Sequence, residues 1–167
     1  RQAISAKLGG DAQLTGFVLN QLGIRDSTSL TKAKVTQAIA LTRQIHAVQN
    51  EPLFQQMGVR DFMANLRGAF ATMEAAGVTP TSVVAPGQQP LTAVEIVALR
   101  EYTEQSFYSF NQEVRSGNMS ALTAAQAAAM DSGLAKLPPY GGQVLRGANM
   151  PPTLNASYQL SMFRTVP

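Results

Sequence analysis

Through the first 137 positions, apolar residues recur at spacings of three and four, broken by capping residues, glycines and prolines, and this pattern commits the front of the chain to packed helices. Asp11 is placed to cap a segment whose Leu14, Phe17, Val18 and Leu22 share a face, with Gly23 as its stop. After the turn signal Asp26-Ser27-Thr28-Ser29, a longer helix carries Ala38, Leu41, Ile45 and Val48 and stops near Asn50 and Pro52. Asp61 opens a third segment with Phe62, Leu66, Ala69, Phe70 and Met73 on one face, and Gly77 occupies the left-handed position expected after its end.

Three prolines between Thr79 and Pro90 mark a connecting loop, read as the seam between an N-terminal helical lobe, residues 1–90, and a second unit, residues 91–167. Thr92 and Glu95 have capping-box spacing and predict a helix that runs to about Thr103. A short helix from Ser106 carries Phe107, Phe110, Asn111 and Val114 and closes at Ser116-Gly117-Asn118. Thr123 and Gln126 repeat the capping signal ahead of an alanine-rich helix that Pro138-Pro139 ends. The alanine cluster reads as helix-forming composition with no functional signal.

Only then does the pattern change. Gln143 to Leu145 reads as a buried strand finishing on Arg146 and Gly147, which makes the expected fold class α+β, mostly helical with few strands. A lone strand cannot satisfy its backbone groups, so it needs partners that this sequence hardly supplies. An arginine at a strand tip offers a rigid fork of donors to a phosphate or carboxylate, and the adjacent glycine lets the anion approach the backbone. The plainer reading of Arg146 is an ion-paired strand end. Leu154, Tyr158, Met162 and Phe163 fit a short amphipathic helix beyond it.

Composition excludes several classes. A net charge of +3, with no block of positive charge, argues against nucleic acid as a partner, and no apolar run approaches the roughly 20 residues of a membrane span. Zero cysteines exclude disulfides and thiolate metal sites, and a single histidine, His46, makes neither a zinc ligand set nor a serine-type triad. No metal is expected, and His46 reads as a helix-surface or packing residue. The start, Arg1-Gln2-Ala3-Ile4-Ser5, lacks a secretory signal pattern and reads as a trimmed or cleaved end.

Taken together, Val97-Ala98-Leu99-Arg100-Glu101-Tyr102-Thr103, then Phe107-Tyr108-Ser109-Phe110-Asn111, then Arg115-Ser116-Gly117, resemble the helical signature of bacterial mono-ADP-ribosyltransferases, the toxin and type III effector family of the arginine-serine-glutamate branch. That family carries Leu-x-x-Tyr-Thr, Tyr-x-x-Ile-Asn-x-x-Leu-Arg-x-Gly and, later, a strand ending in Tyr/Phe-Arg-Gly. Here Val144-Leu145-Arg146-Gly147 follows in order, with Arg146 35 positions after Asn111. Leu145 and Phe110 depart mildly from the pattern. The resemblance covers Ala93 to about Phe163, the front half of the family's catalytic domain.

The resemblance implies NAD as substrate, with Arg146 holding its phosphates, Tyr102 lying beside it, Asn111 hydrogen-bonding near its phosphate or ribose, and Gly147 permitting close approach. Alone, Tyr102 reads as a core-edge aromatic and Asn111 as an ordinary helix residue. The family's Ser-Thr-Ser strand and catalytic glutamate have no match here. Glu113 is the last glutamate and Asp131 the last acidic residue, so no carboxylate follows Arg146 and no catalytic residue is expected in this chain. The expectation is therefore the N-terminal portion of a transferase that passes ADP-ribose from NAD to a host protein, inactive by itself, with its own C-terminal fragment as a partner and a secreted or host-translocated location. The alternative is a degenerate or helical interaction module that binds a peptide or protein without catalysis.

Overall fold

A computed structural model describes residues 2–26, 29, 31–139 and 141. Among these residues all regular structure is helical and no strand is present, which matches the helical part of the expected α+β class. The candidate strand 143–145, Arg146, Gly147 and the amphipathic stretch 154–163 lie outside the described residues.

The N-terminal helices are α1 (Gln2–Lys7), α2 (Ala12–Gln21) and α3 (Lys32–Val48), which pack on one another. Asp11 caps α2 as expected, accepting from the Gln13 and Leu14 amides at 2.7 and 2.9 Å. Gly23, at φ +58°, closes it, with Ile24 N–H reaching back to the Leu19 carbonyl. Thr31 caps α3, which buries Ala38, Ile45 and Val48, leaves Leu41 half-buried and holds His46 on its exposed side.

Pro52, read from sequence as a stop, also starts a helix. It occupies the first position of α4 (Pro52–Met57), where a missing N–H costs nothing. α5 (Val59–Ala75) follows directly, and its N-cap is Gly58 rather than Asp61, which sits inside the first turn. Gly58, at φ +83° and ψ 155°, is both the end of α4 and the start of α5, a conformation close to glycine-only. Across that break the rings of Phe54 and Phe62 meet edge to face, 5.1 Å apart. Phe62, Met63, Leu66 and Ala69 are buried, whereas Phe70, expected on the same face, is exposed. Gly77, at φ +66°, ends α5 as expected.

The 79–90 loop is closed at its base and tied at its middle. Leu91 N–H donates to the Pro80 carbonyl and Ala85 N–H to the Lys136 carbonyl at 2.8 Å. α6 (Ala93–Glu101) buries four consecutive positions, Glu95 to Ala98, because α4, α5 and α8 (Ala121–Leu134) surround it. Buried apolar residues from both sides of the loop, Leu8 to Met130, form one cluster. The Thr92 and Glu95 capping box is fully made, at 2.8 and 3.3 Å. α8 is capped by Ser120, not Thr123. Its small residues have a packing purpose: a Cβ on Gly133 would stand 3.2 Å from Glu95 Cβ and 3.3 Å from Leu99 Cδ1, so α8 lies close against α6.

Glu95 is 4% exposed and carries three loads. Besides capping α6, its carboxylate accepts from Ser132 Oγ at 2.7 Å and Lys136 Nζ at 2.8 Å. Burial pushes its pKa up, but the hydrogen bonds from Lys136, Ser132 and the Thr92 amide, with the Lys136 charge, outweigh burial and hold it below the usual 4.5. A carboxyl depressed on folding contributes stability that is present above about 4.5 and is lost as pH falls through the folded-state value. Glu95→Gln is therefore expected to cost about 1–2 kcal/mol in urea unfolding at pH 7, Lys136 being partly solvated. Its deficit relative to the parent should shrink as pH falls below 4.5; an equal deficit at pH 7 and pH 3 would show that the charge plays no part.

Candidate functional corner

Tyr102 and Asn111 are nine positions apart, and nine residues of regular α-helix would put them on opposite faces, about 13.5 Å apart along the axis. Instead the Asn111 side-chain amide donates to the Tyr102 hydroxyl at 3.2 Å, with the hydroxyl 3.4 Å from the amide oxygen. The helix must turn a corner between them. The turn is a five-residue π segment, Tyr102–Ser106, that joins α6 to α7 (Phe107–Ser116); Ser106 sits at φ −104° and ψ −3°. The two helices expected from sequence are thus present, joined by a wide turn, with α6 ending at Glu101 rather than Thr103.

A π turn disturbs the α-helical ladder and leaves carbonyls to be satisfied by side chains. Thr103 Oγ1 donates to the Arg100 carbonyl at 2.9 Å and Ser106 Oγ to the Glu101 carbonyl at 3.1 Å. Gln126 reaches across from α8. Its Nε2 donates to the Ala98 carbonyl at 3.3 Å and to Ser106 Oγ at 3.0 Å, with the side chain 3% exposed. The sequence reading made Gln126 a capping residue; it is the brace of the corner. A glutamine six residues beyond a serine cap, inside an otherwise apolar helix, was the available signal.

Tyr102 is half-buried, its ring edge to face with Phe110 at 5.3 Å. Phe110 is 9% exposed and anchors α7, so the tyrosine ring is held against it. The hydrogen bonds to Asn111 are long, at the weak end of the usual range. Beside them, Arg100 is committed: it pairs with Glu104 and donates to the Asn65 carbonyl at 3.3 Å. Its guanidinium lies on α5 at Gly68, where an added Cβ would fall 1.7 Å from Nη1. Gly68→Ala would displace the guanidinium rather than the backbone.

The structure therefore brings Tyr102 and Asn111 together. Arg146 and Gly147 lie outside the described residues. No group of three or more metal-ligating side chains occurs among the described residues. Gln126→Leu leaves the Ala98 carbonyl and Ser106 hydroxyl short of a donor, and is expected to cost about 2 kcal/mol in denaturant unfolding and to shift the Asn111 side-chain amide signals in NMR. Unchanged Asn111 signals would mean that the corner holds without its brace.

No protein-family model matches the chain, and no solved structure matches it. A stretch of 70 residues, 42% of this chain, is 33% identical to a protein of Mycobacterium avium (strain 104) named "Putative NAD(+)--arginine ADP-ribosyltransferase Mav". The match spans only 8% of that relative's length. The similarity supports an ADP-ribosyltransferase-like relationship for this chain.

Proposed function

We propose that this chain supplies the NAD-binding front part of a mono-ADP-ribosyltransferase. The observation that carries the reading is the meeting of Tyr102 and Asn111 at a built corner, since these are the two helical residues for which the family resemblance implies contact with NAD. The name of the Mycobacterium avium relative supports the same substrate. In the proposed site Tyr102 presents a fixed ring to the nicotinamide half, Asn111 offers an amide to a ribose or phosphate oxygen, Arg146 clamps the phosphates and Gly147 admits the ligand to the backbone.

The reaction breaks the bond between nicotinamide and ribose. Nicotinamide leaves with the bonding electrons, an acceptor side chain on a target protein forms the new bond to the ribose carbon, and the acceptor gives up a proton. The relative's name adds arginine as the acceptor class. The oxocarbenium-like transition state needs a carboxylate, and no acidic residue follows Arg146 in these 167 residues, so the proposed activity takes its glutamate from another segment. The family resemblance also supports a host protein as the target and a secreted or translocated location.

NAD titrated by calorimetry into the chain, and into a longer precursor that carries it, tests the site. Saturable binding that Arg146→Ala abolishes, and that Asn111→Ala weakens about tenfold, is the expected result. Absence of binding by both proteins, together with tight capture of a defined protein partner, would replace the transferase reading with that of an interaction module.

A further inference from the structure

A second site lies at the other end of the chain. α1 and α3 enclose a cleft of about 420 Å³, within the roughly 300–1,000 Å³ range of small-molecule pockets. Ile4 and Ile39 form its apolar part, and Ile39 is 48% exposed, a large share for an isoleucine on a packed helix. Lys7, Arg43 and His46 line the rest, and none of the lining residues is acidic.

Thr42, also in the lining, is 5% exposed, and its hydroxyl is buried without a hydrogen-bond partner among the described residues. Other helical threonines in this chain settle that problem internally: Thr15, Thr36 and Thr72 each donate to the carbonyl four residues back. Thr42 does not, so a buried donor is left over at the cleft. On the cleft side of α3, exposed Ile39 is followed toward the C-terminal end by Thr42, Arg43 and His46. Ile39 and His46 are about 10 Å apart along the axis. His46 Nδ1 lies 3.2 Å from Gln49 Nε2.

The wider charge distribution agrees. Residues 1–50 hold six Lys and Arg against two Asp, a net +4, although the whole chain is only +3. The chain's basic character therefore belongs to α1–α3 and their connections.

We infer that the α1–α3 cleft binds one molecule of a free anionic amphiphile of the fatty-acid type. Its alkyl chain lies on Ile4 and Ile39, and its carboxylate accepts from the Thr42 hydroxyl within the field of Lys7 and Arg43. The site is independent of the NAD reading. It uses no residue of the corner and requires no catalysis.

Decanoate, kept below its micelle concentration and titrated into the whole chain by calorimetry and amide NMR, tests the inference. Saturable one-to-one binding is expected, with shifts confined to α1 and α3. Arg43→Glu, a change on an exposed side chain, should weaken binding about tenfold, and Thr42→Val about fivefold. Thr42→Val should also raise the thermal midpoint without ligand, because it removes an unpaired buried hydroxyl while keeping the shape. Three results would overturn the inference: no saturable binding, equal affinity for uncharged decanol, or binding to anionic phosphatidylglycerol vesicles with none to monomeric decanoate. The last would make this face a membrane-surface contact.

Discussion

One buried carboxylate fixes the arrangement on which the corner depends. Glu95 satisfies the first turn of α6 and at the same time receives Ser132 and Lys136 from the end of α8. An isolated carboxylate so deeply placed would be costly; with three donors and one positive charge it becomes a clasp. Lys136 extends the clasp to the loop, since its ammonium lies 3.4 Å from the Pro90 carbonyl and its own carbonyl accepts the Ala85 amide. With Glu95 set against Ser132, and Gly133 allowing close contact, the antiparallel register of α6 and α8 leaves Gln126 level with Ala98 and Ser106. The clasp at one end of the helix pair thereby aligns the brace at the other.

The corner shows how a helical segment can bring together residues at a spacing that no straight helix would. Tyr102 and Asn111 meet because the chain gives up regular geometry over five residues, and carbonyls at and beside that turn accept from the side chains of Thr103, Ser106, Ser109 and Gln126. An apolar helix pair would be the cheaper structure. Polar groups spent on sustaining an irregular turn, with an edge-to-face aromatic pair locking its tyrosine, are consistent with a site under functional demand.

Much of this was legible in the sequence where the chemistry is local. Asp11, the Thr92 and Glu95 box, Gly23 and Gly77 act on residues three to five positions away, and each does what its position predicts. What escaped was set by packing. Asp61 yielded the cap of α5 to Gly58 because the chain breaks between two helices at that point, and α4 was too short for its periodicity to register. Phe70 has the right spacing for the core but faces solvent, since α5 is contacted over a narrower stripe than its apolar residues span. Gln126 fits a capping pattern locally, and only the neighbouring α6 reveals its other use. Tyr102 and Asn111 were marked by resemblance, while their contact rests on a π turn that no periodicity announces.

Charge decides what the corner can and cannot do with an anion. Two cations that contact α6 are both ion-paired, Arg100 with Glu104 on the α5 side and Lys136 with Glu95 at the end of α8. Releasing either would leave a carboxylate without its partner, and in the case of Glu95 that carboxylate is buried. The groups left to a ligand are the Tyr102 hydroxyl and the Asn111 amide, which are neutral and suit a ribose hydroxyl or one edge of a phosphate. Two phosphates in one molecule demand more than that, and a guanidinium with both of its forks available meets the demand. In the proposed transferase that requirement falls on Arg146, so the helical corner serves to orient the substrate while its charge must be met from the segment that follows α8.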